Sequence, residues 1–334
     1  MASRGNGAVP SPTGPSDTTT TTTTNGNGNT DPSTHQLRLF LALAEELHFG
    51  RAAARLFMTQ PAFSQQIRSL ERRLRVQLID RTSRTVELTA SGHALLPRAR
   101  AVTDAMAELR RAADARSRQM SGRLVIGTLS AEPAMPQAQA ILDELAKRQP
   151  GLSVETRGLN FFNQYEALAT GEVDIAFLQP PAPPGIQVLE LAEEPRVVCL
   201  ADEDPLADED EVTLEQLAGR PVVSMPRESP QEWRDHWAVD PRPDGSQVRY
   251  GPMAADVEGV LHVVARRQAV GFLPASIRAF YPRPGIVYRT LAGGPSCTMA
   301  LTWSAKNRDR ADVALIRKIA REVVRDAELR EAVG

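Results

Sequence analysis

A chain of 334 residues is too long for one ordinary core, and at roughly 100–200 residues per domain it divides into two or three. Cys199 and Cys297 lack CxxC or Cys/His spacing, so they read as buried or semi-buried thiols rather than redox or metal groups, and no cofactor is expected. The formal net charge of -2 hides an uneven distribution. Between His35 and Leu88 nine arginines face five carboxylates, while Ala201 to Glu215 carries eight carboxylates, so a domain suited to a polyanion is joined to one that is not. No apolar run approaches the ~20 residues that span a bilayer and no signal-peptide core follows the amino terminus, so a cytoplasmic protein without membrane partners is expected.

Residues 1–32 are dominated by Thr, Gly, Asn, Ser and Pro, including a threonine run from Thr18 to Thr24, and read as a disordered tail. Ser33 or Thr34 is a plausible N-cap for a first helix whose apolar face is Leu37, Phe40, Leu41 and Ala44. A second short helix, about Gly50 to Leu56, packs through Ala52, Ala53 and Leu56. After the turn Met58-Thr59-Gln60-Pro61, a third helix starts with Pro61 in its first turn and runs to about Leu74. Phe63, Ile67, Leu70 and Leu74 make its apolar stripe, while Gln60, Ser64, Gln65 and Arg68 lie opposite. Leu78 to Arg81 and Thr85 to Thr89 read as two small strands around a basic tip, a wing.

This first domain, residues 33–92, is a helix-turn-helix by pattern, and its polar face suits double-stranded DNA. Gln60 and Arg68 suit base edges; Thr59, Ser64, Arg81, Thr82 and Arg84 suit phosphates, which fix register rather than sequence. Arg51 and Arg81 fit equally well as internal ion-pair partners of Glu71 or Asp80, and Arg72, Arg73 and Arg75 fit a solvated face.

Residues 93–120 continue a long helix from about Ala90 to Gln119, with Pro97 near its start and Leu95, Leu96, Ala99, Val102, Met106, Leu109 and Ala113 at threes and fours. A solitary amphipathic helix of this length needs an apolar surface, either a second copy of itself or its own domain. From Gly122 strands alternate with helices, which implies an α/β region with crossover connections over 121–334.

These residues resemble the LysR-type transcriptional regulators. The amino-terminal signature is Leu39-Phe40, His48-Phe49-Gly50-Arg51-Ala52-Ala53, Leu56, Thr59-Gln60-Pro61-Ala62-Phe63-Ser64, Ile67, Leu70-Glu71, Leu78, Arg81, Leu88-Thr89 and Gly92. Looser matches follow at Gly122 to Gly127, Pro136, Leu168-x-x-Gly171-x-x-Asp174, Asp204-Pro205-Leu206-Ala207 and Gly271-Phe272-Leu273-Pro274. Ile79 stands where the family usually has phenylalanine, Asp204 where a histidine is common, and Arg267-Gln268-Ala269 where it often has Gly-x-Gly.

The resemblance implies an α/β protein with an N-terminal winged helix-turn-helix, a dimerising linker helix and a regulatory domain of two subdomains like those of periplasmic binding proteins. It also implies a homodimer or homotetramer, with RNA polymerase among its possible partners. A small effector would sit between the subdomains. The matching positions are Thr128, Leu129, Ser130 and Ala131; Asn160, Phe161 and Phe162; Pro226 and Arg227; and Val270, Gly271 and Phe272. Such a lining suits a small carboxylate, with Arg227 either forking onto it or lying on the surface. One phenylalanine of the pair, and Trp233 with Trp237, read as packing. A solute-binding module or an α/β enzyme is the competing reading, but there is no GxGxxG after a strand, no P-loop, no HExxH and no GxSxG, and the five histidines are scattered.

Overall fold

The first helix, α1 (Thr34–Glu46), begins where Ser33 and Gln36 serve each other. The Ser33 hydroxyl accepts the Gln36 N–H and the Gln36 side chain accepts the Ser33 N–H, each at 3.2 Å, a closed capping box. The computed structural model describes residues 31–80 and 86–331. The chain falls into two units that part between Ala105 and Met106.

In the first unit, α2 (Phe49–Arg55) is capped by the His48 ring, whose Nδ1 accepts the Arg51 N–H. Ala52 and Ala53 are buried there, small enough to let α1 approach. Helix α3 (Gln60–Leu74) buries Phe63, Ile67 and Leu70 completely against Leu39, Phe40 and Leu43. The strands β1 (Ile79–Asp80) and β2 (Glu87–Leu88) pair antiparallel, Ile79 opposite Leu88. The Glu71 carboxylate accepts the Leu78 and Ile79 N–H groups at 3.0 and 3.2 Å, tying α3 to the wing. Thr89 accepts the Gly92 N–H through its hydroxyl, which opens α4 (Ala90–Met120). A Cβ on Gly92 would come within 2.3 Å of the Leu78 carbonyl, so no other residue fits that crossing.

Leu95, Leu96 and Ala99 of α4 pack on this core, after which the apolar positions turn outward: Val102 is 48% exposed and Leu109 62%. The other end of α4 belongs to the second unit. There Arg118 donates to the Gly171 carbonyl and pairs with Asp174 at 3.5 Å. Asp174 is wholly buried and also accepts the Val125 N–H at 2.8 Å and Arg310 at 2.7 Å.

The second unit contains two larger sheets and a two-stranded one. Its elements are β3 (Arg123–Thr128), α5 (Pro136–Arg148), β4 (Ser153–Gly158), α6 (Gln164–Ala169), β5 (Ile175–Leu178), β6 (Ile186–Glu194), β7 (Arg196–Ala201), β8 (Glu211–Thr213), β9 (Pro221–Ser224), α7 (Gln231–Ala238), β10 (Arg249–Met253), α8 (Val257–Ala265), β11 (Gly271–Pro274), α9 (Ile277–Phe280), β12 (Ile286–Ala292), β13 (Cys297–Ser304) and α10 (Ala311–Glu331). One sheet has the order β4-β3-β5-β13-β6, with β3 parallel to β4 and β5, and β13 antiparallel to both its neighbours. The other has the order β11-β7-β12-β8, and β9 pairs in parallel with β10 and bridges from Val222 to Val270. The chain passes between the sheets twice, from Glu194 to Arg196 and from Ala292 to Cys297.

This is the α/β arrangement that the pattern of strands and helices implies, divided into the two subdomains that the family resemblance implies. The nine-residue β6 and the seven-residue β12 carry little apolar alternation in sequence, and Leu214 to Leu217 forms turns. Cys199 and Cys297 are both buried thiols. Among the described residues no helix is long and apolar enough to cross a membrane.

Candidate functional site

Two surfaces carry chemistry. On α3, Gln60, Ser64 and Arg68 follow one another at four-residue steps, in a stripe beside that of the buried Phe63, Ile67 and Leu70. Thr59, Gln60, Pro61, Gln65 and Arg68 are exposed and Ser64 is half-buried. Thr59 holds the N-cap position without a side-chain cap bond, so its hydroxyl and the positive end of the helix face outward together. Arg68 has no ion-pair partner among the described residues.

Arg81, Thr82 and Arg84 lie outside the described residues. Arg51 departs from the expected pairing with Glu71 or Asp80: it meets the Glu46 carboxylate at 3.3 Å, because the first turn of α2 faces the last turn of α1. One residue the pattern did not single out stands in the turn. Phe57 is 99% exposed and adopts φ +54.

The second surface is a closed cleft between the two larger sheets of the second unit. Ligands of α/β folds bind outside the carboxyl ends of strands, and here the loops after β3, β4 and β5 meet α7, α9 and the end of β11. Leu129, Ser130, Ala131 and Phe161 line it, together with Met225, Trp233, Trp237 and Phe272 to Pro274. The lining encloses about 600 Å³ with its margins and mouth counted, but only about 30 Å³ lies clear of the walls, room for about one or two water-sized groups.

The structure sorts the expected effector residues. Thr128 is buried behind the lining, and its hydroxyl donates to Glu132 at 2.7 Å. Asn160 closes a turn, its side-chain oxygen accepting the Phe162 and Asn163 N–H groups, while the Phe162 ring points outward at 37% exposure. Phe161 serves both core and cleft, with its ring 5.3 Å from that of Trp233. Pro226 is buried and Arg227 exposed, and neither lines the cavity. Val270 and Gly271 also stay out of it: Val270 packs into the core of the second sheet, and a Cβ on Gly271 would come within 2.6 Å of Val260. The strand reaches the cleft only at its far end, through Phe272, Leu273 and Pro274. Arg267 adopts φ +58, so the turn common as Gly-x-Gly is kept here by an arginine, away from the cavity.

The groups that the pattern overlooked are the polar ones. Glu132 is 6% exposed; its Oε2 accepts both the Thr128 hydroxyl and the Ser130 N–H at 2.7 Å. Burial pushes its carboxyl above the usual range against the pull of those two donors. Glu194 accepts the N–H and hydroxyl of Ser276. Trp237, at 3% exposure, has a buried indole N–H with no acceptor. Behind it, Arg196 stacks 4.8 Å from the Trp237 ring and donates to the His236 carbonyl at 2.7 Å. Burial, and secondarily Arg196, holds His236 down at about 4. Among the described residues no Lys, Arg or His lines the cavity.

The profile described as "LysR substrate binding domain" matches residues 117–325, and that of "Bacterial regulatory helix-turn-helix protein, lysR family" matches residues 34–93. The Hca operon transcriptional activator HcaR of Escherichia coli (strain K12) is 33% identical over 278 residues, 80% of this chain and 90% of HcaR. The HTH-type transcriptional regulator AlsR of Bacillus subtilis (strain 168) is 36% identical over 194 residues, 58% of this chain; the match spans 64% of AlsR, just under two thirds. The crystal structure of full-length CbnR complexed with its target DNA has a TM-score of 0.55 at 22% identity, over 87% of this chain and 99% of CbnR, a likeness of fold.

Proposed function

Because the chain belongs to the LysR family of bacterial helix-turn-helix regulators, we propose that it is a sequence-specific DNA-binding transcriptional regulator controlled by a small effector in the inter-sheet cleft. The observation that carries this reading is the division of α3 into a fully buried apolar side and an outward polar side of Gln60, Ser64 and Arg68. Such a helix enters a major groove with its first turns toward base edges. The relatives named above are regulators, not enzymes.

The exposed Val102 and Leu109 on α4 support a helix-to-helix homodimer, alone or doubled into a tetramer, because an apolar stripe of this kind is stable only when covered. Its operator then has paired half-sites about one or more helical turns apart. An effector acts by binding one arrangement of the subdomains better than another, and the shift is limited by that difference in affinity.

A mobility assay with the full chain tests the DNA reading. Log affinity should fall steeply with log salt and depend on sequence. Arg68→Ala should cost about 1–3 kcal/mol and relax the preference at one base position of each half-site. Binding indifferent to salt and sequence would overturn the reading.

A further inference from the structure

We propose that the cleft takes an uncharged aromatic compound bearing a hydroxyl, with that hydroxyl between Glu132 and the Trp237 N–H, and that it rejects carboxylates. The proposal rests on the cleft being the effector site and specifies what it selects.

The first step concerns the donors a ligand carboxylate would need. After β3 these are the Thr128 hydroxyl and the Ser130 N–H, and both already donate at 2.7 Å to the chain's own Glu132 carboxylate. Among the described residues no cationic side chain lines the cavity, and Arg227 lies outside it. A second carboxylate, Glu194, is also in the lining, held by Ser276. An incoming carboxylate would therefore meet two other carboxyl groups at close range, with the donors of the loop after β3 already taken.

The second step concerns what the lining leaves unmade. The buried Trp237 indole N–H has no acceptor, which is costly for a donor removed from water. Glu132 uses one oxygen for both its donors, and a carboxyl group has about four acceptor sites, so it can receive one more donor. Trp237 has a donor without an acceptor, Glu132 can receive a donor, and both residues belong to the lining. A hydroxyl supplies both, as an ammonium, a carboxylate or a bare ring does not. Arg196 stands 4.8 Å behind the Trp237 ring, a positive charge that disfavours a ligand ammonium on that side.

The third step concerns the body of the ligand. Phe161 and Trp233 are 5.3 Å apart and Trp233 and Trp237 6.1 Å, tilted rather than parallel, with Phe272 among the lining. Such walls favour an aromatic ring set edge to face. The free space of about 30 Å³ holds a hydroxyl but not a ring, so the ligand enters as the walls part.

Calorimetric titration of the full chain with 4-ethylphenol, 2-phenylethanol, ethylbenzene, phenethylamine and phenylacetate tests this. At least one hydroxyl compound should bind about tenfold or more tightly than ethylbenzene, and more tightly than the amine or the acid. Trp237→Phe keeps a ring and removes the N–H, so it should collapse the ratio of hydroxyl compound to ethylbenzene several-fold; Glu132→Gln should lower the same ratio. Tighter binding of phenylacetate or phenethylamine, an unchanged ratio in both variants, or no response to either hydroxyl compound up to about 10 mM overturns the inference. If a variant does not fold, the ranking by the unsubstituted protein decides alone. Salt-dependent, sequence-selective DNA binding without the hydroxyl preference overturns only this inference; hydroxyl-selective binding by a chain that ignores DNA overturns only the regulator reading.

Discussion

In the head, α3 keeps its two kinds of residue apart: Phe63, Ile67 and Leu70 are wholly buried, while Gln60, Gln65 and Arg68 face solvent. In the regulatory unit, Phe161, Trp233, Trp237 and Phe272 are at most 4% exposed and form core and cleft wall at once. A polar face turned outward can change its reading of a partner without changing what holds it up. A cleft closed on its own aromatic rings cannot, because each ring that would touch a ligand also packs the empty protein. Specificity is separable from stability in the head and coupled to it in the cleft.

The largest effects probe the two cores separately. All three tryptophans, Trp233, Trp237 and Trp303, lie in the regulatory unit, so their emission reports on that unit. Asp174→Ala leaves Arg310 and the Val125 N–H without their buried acceptor and should cost about 3–5 kcal/mol, read as an earlier tryptophan-monitored denaturation midpoint. Phe63→Ala should cost about 3–5 kcal/mol in the head, abolishing DNA binding while the tryptophan transition stays in place. An equal shift of that transition by Phe63→Ala would break the division into separate cores.

What could be read from the chain follows the same division. The apolar steps of α3 are an outward record of a small core, and the capping role of Ser33 is local, so both were legible. Glu71, Gly92 and Asp174 were legible as a pattern, but not their work, since each acts on backbone or charge elsewhere along the chain. Strand β6 escaped notice because it is a sheet edge whose carboxylates interrupt any apolar alternation, and β12 because only Ile286 and Leu291 of its residues are buried. The cleft was legible only as the set of loops that meet there. Val270 and Phe272 share one side of the strand and pack into the same core, and only the far end of the strand, from Phe272 to Pro274, reaches the cavity; nothing local encodes where that end falls. Glu132 looks like any loop carboxylate until Thr128 and Ser130 close over it.

A smaller effect is expected from acid. Folding lowers the His236 pKa from 6.5 to about 4, so between those values the unfolded chain binds the proton and the folded chain does not. This contribution is complete above 6.5 and is lost as pH falls through the window toward about 4. The ring is half-buried, so solvent screens part of it. The tryptophan-monitored midpoint should therefore fall between pH 7 and pH 4.5, and His236→Gln should flatten that dependence while leaving the acid response of DNA binding unchanged. An identical slope in the variant would remove His236 from the account.

The smallest effect tests whether the head is as separable as the comparison makes it. Phe57 holds φ +54, a left-handed conformation costing a residue with a Cβ about 1–2 kcal/mol, and at 99% exposure its ring recovers nothing from burial. Asparagine tolerates that conformation better, since its short side chain can hydrogen-bond locally. Phe57→Asn should therefore raise the stability of the head by about 0.5 kcal/mol, measured by helical circular dichroism against denaturant. The DNA affinity of the same variant then separates two roles. Phe57 precedes Thr59 and Gln60 in the turn, so a strained, exposed ring at that position is explained if it touches the duplex, and affinity should fall as stability rises. Unchanged affinity with higher stability would leave the ring without a role in binding, and a loss of stability would show that the strain argument fails at this turn.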